Sequence, residues 1–420
     1  MSNIAGQDWF SKPGLQRILA LLNADGGEAR IVGGAVRNAL MGMPVGDIDM
    51  ATTLPPQDVV ERAKDAGIKA VPTGIEHGTV TLVLDGEGFE VTTLRRDVET
   101  DGRHAQVAFG TDWTEDAQRR DLTINALYAD ASGDVIDLIG GLPDIEKRNV
   151  RFIGDADQRV AEDYLRILRF FRFFAHYGSG RPDADGLRAS ARAKDKISTL
   201  SAERVWSEMK KLLAAEDPSR SLLWMRQSGV LTQVLPETEK WGIDAIHGLV
   251  ATEQALGWKP DALVRLAAIV PTDAERVDAM TSRLRMSNAE GKRLKLWASS
   301  AAIDPTMTDA AFDRLLYRQG VEGVVLRLKL ALAAARADVS AGEAAMQKIA
   351  RFSTLLERAQ KFQRPSFPLT GADVLAAGVA PGPRVGVILS ELEEKWIEFN
   401  FSLDRAALTA RLEKALNNQA

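Results

Sequence analysis

Apolar residues recur every three or four positions at Leu15, Ile18, Leu19, Leu21 and Leu22, which predicts one buried face of a helix. The run ARIVGG at 29–34 predicts a short strand that turns at two glycines into a helix starting near Ala35. GDIDMAT predicts the next strand, and another helix begins after Pro55-Pro56. GTVTLVL and GFEVTTL alternate Val and Thr around Asp85-Gly86-Glu87-Gly88, a hairpin pattern. After about Gly154 the strand signals stop. EDYLRILRFFRFFAHYG, SAERVWSEMKKLLAA, SLLWMRQSGVL and the stretches near 260–300, 309–350 and 384–418 all carry helical periodicity. Ser287 and Glu290 form the sequence pattern of a capping box opening the helix GKRLKLWAS. The expected fold class is α+β, with a small mixed-sheet head followed by an all-α remainder.

Composition narrows the setting. A chain of 420 residues with 45% hydrophobic and 26% charged residues is built for several soluble globular domains. The lack of cysteine excludes both a disulfide framework and a thiolate metal site. No basic segment followed by an apolar core opens the chain, and no apolar run approaches membrane-spanning length, so a cytoplasmic protein with no membrane partner is expected. Residues 1–150 carry 14 Lys and Arg against 24 Asp and Glu, whereas residues 151–420 carry 39 against 34. An acidic front and a mildly basic remainder suit metal ligands beside a nucleic-acid substrate, although uneven surface composition alone gives the same balance.

The candidate chemistry starts at Asp47 and Asp49. Strand side chains alternate, so the two carboxylates are expected on one face, where they repel unless a hard divalent cation lies between them. Upstream, Gly33 and Gly34 would let backbone N–H groups approach an anion at a helix N-terminus, with Arg37 one turn inside. In RRDLTINALY, Arg120 could clamp a triphosphate, while Asp121 and Asn125 could fix a ribose hydroxyl. Asp163, Arg166, Arg169 and Arg172 recur every three residues. On one continuous helix each step turns by about −60°, so Asp163 and Arg166 are neighbours and Arg172 points almost opposite Asp163. The first pair is assigned to a nucleobase edge, and the later arginines to phosphates or to bracing. Singly, these elements also fit a strand edge, a tight turn, a helix-terminal charge pair and a surface ion pair. His77, His104, His176 and His247 are scattered and suggest no histidine chemistry.

Taken together, the stretches VGGAVRNALMG, GDIDMATT, GIEHGTV, FEVTTLRRDVETDGRHAQV, DWTEDAQRRDLTINAL, VRFIGDADQRVAEDYLRILRFFRF and SAERVWSEMKKLL resemble the CCA-adding tRNA nucleotidyltransferases of the bacterial–mitochondrial class, in the polymerase β-like superfamily. The resemblance spans roughly residues 30–215, with a further family-like RLRMSNAEGKRL beyond it. It implies a catalytic head at 1–150, a nucleobase-reading neck at 151–215, a helical body at 216–330 and a tRNA-binding tail at 331–420. It also implies Mg²⁺ as cofactor and the tRNA 3′ end, CTP and ATP as partners. Asp47 and Asp49 would bind the metal, with Glu90 at the superfamily's third carboxylate position. Gly34, Arg37 and Arg120 would hold triphosphate and ribose, Asp163 and Arg166 the base, and Arg169 and Arg172 would complete the site.

Arg96 to Gly110 resembles the mobile loop required for the final A. One departure stands out: the family pattern GGxVRD ends here in Asn38, and on this reading Asn38→Asp would leave catalysis similar or improve nucleotide affinity. The absence of an HD dipeptide argues against an appended phosphohydrolase domain. Rival readings are a poly(A) polymerase, a partial enzyme adding only CC or only A, and a non-catalytic RNA-binding module. The basic cluster Arg283, Arg285, Lys292, Arg293 and Lys295 is expected to contact tRNA phosphates.

Overall fold

A computed structural model describes residues 2–97, 107–239, 242–338 and 342–417. The chain divides into two compact units, Met1–Pro236 and Glu237–Ala420.

The first unit opens with α1 (Pro13–Leu22), whose Leu15, Ile18, Leu19 and Leu22 are buried as the spacing predicts. There follow β1 (Ala29–Val32), α2 (Gly34–Leu40), β2 (Asp49–Thr52), α3 (Pro56–Asp65), β3 (Lys69–Gly74), β4 (Thr79–Leu84) and β5 (Glu87–Thr93). The hairpin between β4 and β5 turns at Asp85 and Gly86, both at positive φ, as two-residue hairpin loops require. β6 (Arg95–Asp97) and β7 (Val107–Phe109) pair as a separate antiparallel ribbon. The loop expected over Arg96 to Gly110 falls for the most part on 98–106, outside the described residues. Next come α4 (Trp113–Gln118), β8 (Leu127–Ala129), β9 (Val135–Asp137) and α5 (Leu142–Glu146).

Seven strands form one sheet in the order β3-β4-β5-β2-β1-β8-β9. Every neighbouring pair is antiparallel except β2 and β5, which run parallel with Asp49 opposite Glu90 and Met50 opposite Val91. The mixed sheet was expected. β3 was not, because Pro72 interrupts it and its burial does not alternate, both marks of an edge strand. Beneath the strand ends, Val32, Ala51, Leu94, Trp113 and Tyr128 pack in one core cluster.

From residue 156 the unit is helical: α6 (Ala156–Glu162), α7 (Leu165–Tyr177), α8 (Ala184–Ala193), α9 (Ala202–Leu213), α10 (Ser219–Gln227) and α11 (Val230–Val234). The structure corrects the single helix expected over EDYLRILRFFRF. Asp163 is extended (φ −153°, ψ 108°) and separates α6 from α7. Its side chain accepts the Leu165 N–H at 3.0 Å, which caps the new helix and explains why the chain breaks there.

The second unit holds α12 (Ala245–Leu256), α13 (Ala262–Ile269), α14 (Ala274–Arg283), α15 (Asn288–Ser299), α16 (Asp309–Gln319), α17 (Val321–Ala337), α18 (Gly342–Lys361), α19 (Gly371–Ala376), α20 (Pro383–Glu398) and α21 (Arg405–Asn417). The capping box at Ser287 and Glu290 is present, one residue ahead of α15. One core gathers around Phe312, Leu328 and Leu355, another around Trp396, Leu392 and Leu408. A buried pair, Arg265 with Glu253 at 2.8 Å, ties α13 to α12. The basic cluster around α15 is partly neutralised: Arg283 pairs with Glu237 at 2.9 Å, Arg293 with Asp261 at 2.6 Å and Lys295 with Asp278 at 3.0 Å.

Candidate active site

A cleft of about 900 Å³ opens in the first unit, and every expected site residue lines it: Gly34, Arg37, Asp47, Asp49, Glu90, Arg120, Asp121, Asn125, Asp163, Arg166, Arg169 and Arg172. Elements far apart in sequence bring them together.

The acidic wall comes from backbone register. β2 starts at Asp49, so Asp47 precedes the strand that was expected to carry both aspartates. The approach is extended enough to keep the alternation, with Asp47 and Asp49 exposed while Ile48 and Met50 are buried. Parallel pairing then sets Glu90 beside Asp49 on the same face, one strand spacing away, about 4.8 Å. Asp49 is open to solvent on one side, yet the surrounding cleft walls partly desolvate its carboxylate and raise its pKa; the charges of Glu90 and Asp47 raise it further, and Arg120 opposes them. Crowded carboxylates of this kind lose their penalty when a divalent cation lies among them. Among the described residues no three His, Cys, Asp or Glu side chains gather into a complete metal cage. A hard cation that takes two carboxylates and fills its other positions with water and phosphate oxygens fits this wall, and Mg²⁺ has that habit.

The basic wall begins at the turn into α2. Gly33 sits at φ 69°, where any side chain would strain the backbone, and α2 starts at Gly34. Arg37, one turn in, is only 6% exposed. Its Nε and Nη2 donate to Asn38 Oδ1 at 3.1 and 2.9 Å, Nη1 donates to Asn125 Oδ1, and Nη2 donates to Tyr177 Oη at 2.7 Å. Its guanidinium also lies 4.0 Å from the Tyr177 ring centroid. Burial lowers the Arg37 pKa.

Arg120 is held from behind by Asp116, a residue sequence reasoning passed over. Asp116 is 1% exposed and lies in α4. Its Oδ2 accepts Arg120 Nε and Nη2 at 3.1 and 3.0 Å and Tyr128 Oη at 2.8 Å. Its Oδ1 accepts both Nε and Nη2 of Arg119. Burial pushes this carboxyl up, yet the two arginine charges and their hydrogen bonds outweigh it and hold the pKa below the ordinary range. With Nε and Nη2 occupied, Arg120 keeps Nη1 forward, where a Cβ on Gly33 would meet it at 3.9 Å. The signal was in the sequence: an acid four residues before the second arginine of RRD, on a helix that Asp112 caps by accepting the Thr114 N–H at 2.7 Å.

A second network braces the cleft floor. Arg169 Nε donates to Asp121 Oδ2 at 2.6 Å, and Asp121 Oδ1 accepts from Asn125 Nδ2 at 3.2 Å and from the Leu122 N–H at 2.9 Å. Asn125 passes the chain on to Arg37. Arg169 outweighs burial in keeping the Asp121 pKa low. Arg172 lies 2.6 Å from Glu208 in α9 and 4.3 Å from the Phe173 ring centroid, which turns it toward bracing.

The base-reading candidates need a different account from the helix arithmetic. Asp163 does not share a helix with Arg166; its Oδ2 pairs with Arg204 Nη2 of α9 at 2.7 Å. Arg166 donates from Nη1 to the Arg159 carbonyl at 2.9 Å and to Glu162, and from Nη2 to the Arg119 carbonyl at 3.4 Å. A guanidinium has five N–H groups, so Nε and one Nη2 hydrogen remain for a ligand. Nothing in the helical pattern of SAERVWSEMKKLL singles out Arg204. At 51% side-chain exposure its pair with Asp163 adds little stability. Arg204→Ala is therefore expected to leave the melting temperature within about 2 °C of wild type. Its effect should appear in the cleft, as misincorporation from UTP and GTP raised several-fold relative to CTP and ATP. Unchanged selectivity in a single-turnover competition assay would remove Arg204 from the base site.

Two family models match the chain: the poly A polymerase head domain over residues 29–151, and the probable RNA and SrmB-binding site of polymerase A over residues 183–241. The mouse (Mus musculus) CCA tRNA nucleotidyltransferase 1, mitochondrial, is 34% identical over 406 residues, covering 96% of this chain and 90% of its own length. The chain belongs to the CCA-adding tRNA nucleotidyltransferase family. Another member, the CCA-adding enzyme of Levilactobacillus brevis, is 28% identical across 94% of the chain and 95% of its own. The crystal structure of the Bacillus stearothermophilus CCA-adding enzyme in complex with CTP superposes with a TM-score of 0.76 at 26% identity, covering 97% of this chain and 99% of that one. Family membership and the mixed-sheet head followed by helices both agree with the sequence reading.

Proposed function

We propose that this chain builds and repairs the 3′-terminal CCA of tRNA, transferring CMP and AMP from CTP and ATP with release of pyrophosphate. The observation that carries the reading is the parallel register that sets Glu90 beside Asp49, facing the arginine wall across one cleft. Similarity to CCA-adding enzymes along nearly the whole chain supports it over a poly(A) polymerase, whose family models match residues 29–151 and 183–241 alone.

Asp47 and Asp49 are the residues that would hold Mg²⁺, with Glu90 at their side. When bound there, the ion lowers the pKa of the attacking tRNA 3′-hydroxyl and offsets charge on the α-phosphate and the leaving group. The remaining work falls to the chain itself. Arg120, aimed by Asp116, and the α2 N-terminus at Gly34 take the triphosphate, and buried Arg37 adds positive charge behind them. Asp121 keeps unused lone pairs, and Asn125 one N–H, for a ribose hydroxyl. Asp163 accepts from the exocyclic amino group of cytosine or adenine, while one of the two remaining N–H groups of Arg166 donates to the adjoining ring nitrogen. Uracil and guanine present a carbonyl and a ring N–H instead. Each mismatch leaves a buried polar group unpaired, at about 1–3 kcal/mol per group. Selection of the base thus needs no nucleic-acid template. Arg169 and Arg172 brace this edge through Asp121 and Glu208.

The test is an extension assay with Mg²⁺ and tRNA transcripts ending before CCA, at C and at CC, each given CTP, ATP or both. Addition of CC from CTP, then of one A from ATP, with extension stopping there, is the expected result. Long A tracts would overturn the reading in favour of a poly(A) polymerase, and arrest at CC would identify a partial enzyme. A tRNA surface around α15 is also part of this reading, in modified form. Because Arg293 already has a carboxylate partner, Lys292→Ala/Arg293→Ala is expected to flatten the slope of log affinity against log salt by about one or less. A change of about two would show that Arg293 leaves Asp261 for a phosphate and that Lys292 contacts one as well.

A further inference from the structure

Asn38 has two neighbours that make opposite demands. On one side Arg37 offers only donors, and Asn38 Oδ1 accepts from its Nε and Nη2 at 3.1 and 2.9 Å. On the other, the Pro44 carbonyl can only accept, and Asn38 Nδ2 donates to it at 2.8 Å. An arginine cannot accept and a carbonyl cannot donate, so the amide has a single workable orientation. Pro44 lies three residues before Asp47, in the stretch that delivers the acidic wall. The same amide therefore touches the arginine behind the triphosphate and the backbone that places a metal carboxylate.

Charge is the second part. The hydrogen-bond partners of Arg37, namely Asn38, Asn125 and Tyr177, are all neutral. The nearest acid in its network, Asp121, lies one bond further on through Asn125 and is already paired with Arg169. Among the described residues Arg37 is thus a buried cation with no carboxylate hydrogen-bonded to it, in a cleft that takes a polyanion.

We propose that Asn38 is a positioning residue that keeps the Arg37 charge available to the nucleotide triphosphate while tying Arg37 to the Asp47 approach. The proposal rests on the reading of this cleft as a nucleotidyl-transfer site. An aspartate at 38 would still accept from Arg37 but would neutralise it in advance, competing with the phosphates. It would also turn a second carboxylate oxygen toward the Pro44 carbonyl, where a donor is required. The structure thus reverses the expectation from the family pattern that Asn38→Asp would be harmless or helpful. Alanine differs again: it leaves Arg37 charged and uncompensated but loosens both contacts.

Equilibrium CTP binding in EDTA, without tRNA, separates these effects from turnover. Asn38→Asp is expected to bind CTP about tenfold more weakly than wild type, while its KM for tRNA stays unchanged. Asn38→Ala is expected to bind CTP within about threefold of wild type yet lose at least tenfold in kcat. It carries the test alone if Asn38→Asp fails to fold. Wild-type CTP affinity in Asn38→Asp, or wild-type kcat in Asn38→Ala, would overturn the proposal, as would equal losses of affinity and kcat in both variants, the signature of a merely structural residue. Arg37→Ala serves as the reference. If it binds CTP like wild type, the nucleotide reading of the cleft fails, and that outcome is distinct from a failure at Asn38.

Discussion

Asp47→Ala and Asp49→Ala are each expected to lower incorporation from both CTP and ATP by on the order of 10³-fold or more. That is the size expected when several kcal/mol of transition-state charge stabilisation disappears. On the proposed reading the acidic wall meets the reacting phosphate and not the base, so both nucleotides should suffer together. The fold gives a readout independent of activity. Asp49 has its pKa raised by partial desolvation between the cleft walls and by the charges of Glu90 and Asp47, so the folded protein binds that proton more tightly than the unfolded chain. Its contribution to stability is present at acid pH and is lost as pH rises through the folded pKa. In EDTA at pH 7 the ionised carboxylate therefore weakens the fold, and Asp49→Asn is expected to melt above wild type. The gap should narrow as pH falls toward 4, and Mg²⁺ should raise the melting temperature of wild type but not of the variant. A variant that keeps activity within a few-fold of wild type, or melts no higher in EDTA, would remove these residues from the metal site.

Asp116→Asn carries the second large effect. One carboxylate takes N–H groups from Arg119 and Arg120 and the hydroxyl of Tyr128, all within a 1% exposed side chain. The amide keeps one oxygen for one guanidinium and turns its NH₂ group against the other, since Oδ1 serves Arg119 and Oδ2 serves Arg120. Removing one partner of a buried pair typically costs about 3–5 kcal/mol, because the other charge remains. Arg120 also loses the contacts that leave Nη1 facing the Gly33 turn. The KM for CTP and for ATP should rise together by on the order of tenfold or more, with the CTP-to-ATP ratio and the KM for tRNA unchanged. The pKa of Asp116 is held low, so its contribution is present above the unfolded pKa and lost as pH falls through the folded one. Wild type should lose this increment only in acid, below about pH 4, and the variant should show no such loss. Tyr128→Phe removes the hydroxyl alone and should leave nucleotide KM near wild type. A normal nucleotide KM in Asp116→Asn would mean that Arg120 needs no support from behind.

The head and its cleft were legible because their signals are local. A strand, a glycine turn and a helix N-terminus follow one another at 29–40, and D-x-D keeps its alternation even though only Asp49 lies in the strand. What stayed hidden involved partners that no local pattern names. The run from Glu162 to Phe173 has unbroken helical periodicity, so nothing in its apolar spacing reveals the break at Asp163; only the capping habit of aspartate before an apolar run could have done so. Arg204 reaches Asp163 from 41 residues away. The basic run at α15 read as open surface, because the acids that pair with it, Glu237, Asp261 and Asp278, lie 17 to 46 residues off in sequence.

The parallel pairing of β2 with β5 turns the spacing between Asp49 and Glu90 into a count. Strand register changes only in whole residues, so a slip of one puts the two carboxylates on opposite faces, and a slip of two returns them to one face about 7 Å further apart along the strand. Residues 53–86, which carry the crossover through α3, β3 and β4, do not enter that count. A change of length within the crossover leaves the facing of Asp49 and Glu90 unaltered as long as the β2–β5 and β4–β5 pairings are kept. One residue deleted between Glu87 and Glu90 would turn Glu90 to the far side of the sheet. The acidic wall is thus indifferent to length changes that keep this pairing, and exposed to a single-residue error within a few residues of Glu90.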